Sequence, residues 1–154
     1  MGVEIQVLGP LSVVTEHKLV RLPAGRLRTV LAVLSLHHGK SVSRDRLIDA
    51  AWGDGAPATV ATQLQGVISA LRRILPAGMI ETDGSAYRLR VTSAELDLAA
   101  VEATVDTARA AARADRLADA AESYRAGLAA GRGSVRRTGL GLPGQARDTA
   151  ERVA

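Results

Sequence analysis

Residues 58–75 read Ala58-Thr59-Val60-Ala61-Thr62-Gln63-Leu64-Gln65-Gly66-Val67-Ile68-Ser69-Ala70-Leu71-Arg72-Arg73-Ile74-Leu75. Leu64, Ile68, Leu71 and Leu75 recur at helical spacing, with Val60, Val67 and Ile74 beside them, so the stretch predicts an amphipathic helix with one apolar stripe. Thr62, Gln63, Gly66, Ser69, Ala70 and Arg73 fall on the opposite face, with Gln65 and Arg72 at its margins. Pro57 is placed to open the helix, because proline at the first helical position loses no hydrogen bond, and Pro76 stops it. Gly66 costs about 1 kcal/mol against alanine in mid-helix. It calls for a reason: close approach of a ligand to the backbone, or close packing of another helix.

Upstream, Leu27, Val30, Leu31 and Leu34 predict a helix from about Ala24 to His38-Gly39. After a Lys40-Ser41-Val42 link, Ser43 can cap a short helix through Ala51, with Asp45 in its first turn. Trp52 reads as a structural plug between this helix and the next. Further upstream, Val3-Ile5-Val7, Leu11-Ser12-Val13 and Leu19-Val20-Arg21-Leu22 read as a small antiparallel meander broken at Gly9-Pro10. Downstream, Met79 to Thr82 and Ser85 to Arg90 flank Asp83-Gly84, a strong hairpin signal.

The fold class expected is therefore α+β. It comprises a winged helix-turn-helix with an N-terminal antiparallel sheet and a C-terminal wing hairpin. A tetratricopeptide-like helical hairpin follows, over about Asp97–Ala114 and Arg116–Ala130. In that pair Leu98, Val101, Val105 and Ala108 should meet Leu117, Ala121, Tyr124 and Leu128. The expected domains are 1–95, 96–130 and a loosely ordered Gly/Arg-rich tail at 131–154.

This order of elements suits a DNA reader, in which one helix is anchored by its stripe while its other face reaches base edges and a wing grips phosphates. Thr62, Gln63 and Ser69 offer donors and acceptors, and Gly66 and Ala70 keep the face low. Arg72, Arg73, Arg88 and Arg90 are candidate phosphate clamps, with Arg26 and Arg28 as weaker ones. Ser85 and Tyr87 complete the DNA-facing set on the hairpin. The bland alternative is that this polar face is an ordinary solvated helix surface.

Val7-Leu8-Gly9-Pro10-Leu11, Arg44-Asp45-Arg46-Leu47-Ile48-Asp49-Ala50-Ala51-Trp52-Gly53, Leu64-Gln65-Gly66-Val67-Ile68-Ser69-Ala70-Leu71-Arg72-Arg73 and Tyr87-Arg88-Leu89 occur in that order. Over residues 1–92 the chain resembles the OmpR-type DNA-binding domain of the SARP/AfsR-type antibiotic regulatory activators, and 97–130 resembles the start of their helical activator domain. The resemblance implies a cytoplasmic transcriptional regulator of a secondary-metabolite pathway. It would bind direct repeats in double-stranded promoter DNA, as tandem copies or a homodimer. It also implies a polymerase-contact loop at Trp52, Gly53, Asp54, Gly55, Ala56 and Pro57, which RNA polymerase would touch. Many relatives carry arginine at the position of Ala70 and a basic residue at that of Asp83, which implies a base readout and a wing grip that are weaker here or distributed differently. The helical part is short beside the family's, so a truncated regulator is the expectation.

Composition narrows the alternatives. The 154 residues carry a net charge of +4, and 18 of the 20 cationic side chains are arginine. Arginine suits phosphate and guanine forks, but a GC-rich genome produces the same bias. Residues 1–95 hold 11 Lys+Arg against 8 Asp+Glu, so the excess sits in the first half. With no cysteine, disulfides, thiolate zinc sites and cysteine nucleophiles are excluded. His37-His38 at a helix end fits a favourable dipole interaction or, less readily, a metal. No nucleophile–base or metal-ligand spacing surrounds His17, His37 or His38, so no enzyme, cofactor or metal is expected. No run is long enough for a membrane span. The competing class is a protein-interaction module whose winged helix has lost DNA affinity.

Overall fold

Alternating apolar residues at the N-terminus pair as three antiparallel strands, β1 (Val3–Gln6), β2 (Ser12–Thr15) and β3 (Lys18–Val20), in that spatial order. The computed structural model describes residues 2–113 and 117–137. Val3, Ile5 and Val13 point into the core. The β2–β3 turn places Glu16 and His17 at φ 49° and 66°, the left-handed pair that a two-residue hairpin demands.

Three helices follow: α1 (Arg26–Leu36), α2 (Arg44–Trp52) and α3 (Val60–Ile74). Ser43 caps α2 as expected, its Oγ accepting from Arg46 N–H at 3.2 Å. The segment expected to be a mere link is a strand. β4 (Ser41–Ser43) pairs antiparallel with β6 (Ala86–Leu89), which pairs in turn with β5 (Ile80–Asp83), giving the order β4-β6-β5. Three residues are too short to reveal a period of two, and only the distant partner makes them a strand. The start of α3 is also corrected. Pro57 lies in the turn before it, accepting from Val60 N–H at 3.0 Å, and Thr59 is the N-cap without a side-chain capping bond.

One core unites these elements. Val30, Leu31 and Leu34 of α1, Leu47 of α2 and Leu64, Ile68 and Leu71 of α3 pack with Ile5, Val13, Val42, Tyr87 and Leu89. Leu96 and Ala99 belong to the same cluster. The boundary expected at 95/96 thus falls inside a joint: Ile5 N–H donates to Glu95 O, and the Asp97 carboxylate accepts from Val7 and Leu8 N–H at 2.9 and 3.1 Å.

Asp97 begins α4 (Asp97–Arg113), which packs on α5 (Leu117–Arg137). The pair forms as expected, but with another face of α5. Gly127 lies against α4, where a Cβ would stand 3.1 Å from Thr104, whereas Tyr124 and Leu128 are 42% and 63% exposed. Small residues let the two backbones approach, so the larger apolar ones turn outward. α5 also continues past the boundary expected at Ala130, since Gly131 and Gly133 weaken a helix without forbidding it. The rest of the expected loose tail, 138–154, lies outside the described residues.

Candidate nucleic-acid interface

The stripe that anchors α3 is buried at Leu64, Ile68, Leu71 and Leu75. Opposite it Thr62, Gly66, Ser69 and Arg73 are exposed, and Ala70 is half-buried beside them. Arg73 makes no side-chain hydrogen bond or ion pair among the described residues. Among the described residues a Cβ at Gly66 would meet nothing within 4 Å, so none of their helices packs there as the reason for that glycine. With 15 residues, α3 is about 22 Å long, enough to lie across a major groove about 12 Å wide.

Gln63 is placed differently from its neighbours. Its Oε1 accepts from Trp52 Nε1–H at 3.0 Å and from Arg26 Nη1 at 3.1 Å, and its Nε2 donates to Thr59 Oγ1 at 3.1 Å. The Arg26 guanidinium sits over the Trp52 ring, 5.0 Å from its centroid. Gln63 therefore ties the ends of α1 and α2 to the first turn of α3, and its carbonyl is already occupied. Trp52 fills the plug role expected of it. Beyond Trp52, residues 53–57 of the expected polymerase-contact loop, Gly53, Asp54, Gly55, Ala56 and Pro57, are all exposed.

Arg72, expected to clamp phosphate, instead straps the wing. Its Nε and Nη2 donate to Ile80 O at 3.2 and 3.1 Å, and Nη2 reaches Thr82 Oγ1 at 2.8 Å. Arg28 is spent on Leu11 O at 3.2 Å. Tyr87 is a correction: at 4% exposure it faces the core with Leu89 and Val42, because β6 alternates and its even register points outward at Arg88. Ser85 is exposed at the hairpin turn beside Gly84, whose φ is 60°. Arg88 and Arg90 are partly exposed but ion-paired, to Asp83 at 2.8 Å and Glu81 at 3.0 Å. His37 Nδ1 lies 2.9 Å from Val33 O, and His38 Nε2 lies 2.7 Å from Glu102 on α4. Among the described residues no group of His, Asp and Glu could hold a metal.

Residues 18–89, from β3 to the end of the wing, match the family described as transcriptional regulatory protein, C terminal. The match covers just under half of the chain. The resemblance read from the residues is borne out by the similar proteins. RedD of Streptomyces coelicolor is 38% identical over 73 residues, covering 47% of this chain and 21% of its own. AfsR of the same organism is 29% identical over 139 residues, covering 90% and 14%. The solved structure of Mycobacterium tuberculosis EmbR, in complex with a low-affinity phosphopeptide, superposes with a TM-score of 0.74 at 26% identity, over 88% of this chain and 38% of that one. The chain spans well under half the length of each of these relatives.

Gln65, at the margin of the polar face in the sequence, is a further candidate contact on α3. It is exposed, seven positions before Arg72 on the same edge of α3, hence on the wing side of the helix. Its spacing from Arg72 was visible in the sequence, but which edge the wing would flank was not.

Proposed function

We propose that this chain is a sequence-specific, double-stranded DNA-binding transcriptional regulator of the SARP type. In this reading α3 enters the major groove and the β5–β6 wing lies along the adjacent backbone. The observation that carries it is the exposed ridge Thr62–Gly66–Ser69–Arg73, whose side chains make no hydrogen bond or ion pair among the described residues, flanked by a wing that Arg72 holds in place. Thr62, Ser69 and Gln65 would read bases, and Arg73 would grip phosphate. The exposed 53–57 loop would contact RNA polymerase. Promoter direct repeats would seat tandem copies, and the likeness to antibiotic regulatory activators supports a secondary-metabolite pathway. We assign the chain no reaction and no cofactor.

Selection of bound duplexes from a random library, followed by titration against salt, tests this reading. An enriched repeated motif and steep salt dependence support it, and no enrichment refutes it. The competing reading, a protein-interaction module, draws on Tyr124 and Leu128, exposed four residues apart on α5. It predicts no affinity for any duplex.

A further inference from the structure

The wing contains its own competitors for its arginines. Strand register aligns Ser41 with Arg88 and Arg88 with Glu81, so these three share the face of the sheet opposite buried Val42, Tyr87 and Leu89. On that face Arg88 Nη2 donates to Asp83 Oδ2 at 2.8 Å and to Ser41 Oγ at 2.9 Å, while the Ser41 hydroxyl donates to the same carboxylate oxygen. Arg90 Nη1 donates to Glu81 Oε1 at 3.0 Å. Both hairpin arginines are thus satisfied by carboxylates of the same hairpin. Arg88 Nε is shielded and unbonded among the described residues, so its guanidinium can meet a ligand only through its Nη groups.

We propose that Asp83 and Glu81 act as intramolecular stand-ins for DNA phosphate, keeping Arg88 and Arg90 self-paired until the duplex displaces them. This rests on the DNA-binding reading above. A carboxylate and a phosphate offer a guanidinium the same charged acceptor oxygens. The pairs are open to exchange, since Asp83 is 54% and Arg90 66% exposed, and exposed ion pairs are weak. The consequence is a wing of modest grip, so that discrimination falls on the ridge of α3.

Duplex affinity of the full chain and of Asp83→Asn, Glu81→Gln, Arg88→Gln and Arg90→Gln, alone and paired, tests this. Asp83→Asn is expected to raise affinity roughly threefold to tenfold at low salt and to steepen the log–log salt slope by about one. That gain should vanish when Arg88 is already glutamine. The Glu81→Gln gain should vanish likewise with Arg90→Gln, a pair exposed enough that folding is not at stake. Gains that persist without the arginines would mean a general charge effect and overturn the proposal, as would no gain in a chain that binds DNA. No binding by any variant, wild type included, would overturn the DNA-binding reading itself.

Discussion

Arg72 and Arg73 are neighbours in sequence with different work to do. Arg72 has three donor contacts to β5, whereas Arg73 has none among the described residues. Arg73→Ala is therefore expected to weaken binding to every duplex and to reduce the salt slope by about one, as measured by fluorescence anisotropy at several salt concentrations. Gln63 reverses what its position on the polar face implies. A carbonyl already shared by Trp52 and Arg26 is poorly placed to read a base. Gln63→Ala should cost about 1–2 kcal/mol of stability in thermal melts and leave sequence preference unchanged, whereas Thr62→Ala should shift the preferred sequence. The sequence could place Gln63 on the outward face, because that follows from a 100° rotation per residue. It could not reveal that the ends of two other helices would arrive beside it.

At the scale of elements, the α3 glycine is the informative position. Among the described residues nothing lies within 4 Å of a Cβ at Gly66, so Gly66→Ala should stabilise the protein by about 0.5–1 kcal/mol. If the helix backbone approaches the groove closely, the same change should lower DNA affinity, so melts and binding should move in opposite directions. Equal affinity would remove Gly66 from the interface. The long periodic helices, the capping Ser43 and the Asp-Gly hairpin were legible because each depends on residues within a turn or two. β4 was not legible, because Ser41–Ser43 become a strand only by pairing with Arg88, Tyr87 and Ala86, more than forty positions away. The contact face of α5 was misjudged for a related reason. Size ranked Tyr124 and Leu128 as core, but close approach of the helices at Gly127 and Thr104 favours small residues there.

For the whole molecule, the winged helix and the helix pair are joined rather than strung together. Leu96 is 1% exposed in the common core, Asp97 bonds two backbone N–H groups of the first sheet's end, and His38 meets Glu102. A chain ending at residue 95 should lose about 3–5 kcal/mol from the lost apolar burial and the charged hydrogen bonds. Its melting point should fall by roughly 10 °C or more, and an unchanged melt would show that the joint contributes nothing. Whether the ridge of α3 and its flanking wing hold duplex DNA is decided by one titration: the affinity of the full chain for a selected duplex from about 50 to 200 mM salt. The expected result is a linear log–log fall with a slope magnitude of several units, reduced by about one in Arg73→Ala. No affinity above background at the lowest salt, or affinity indifferent to both salt and Arg73, would contradict it.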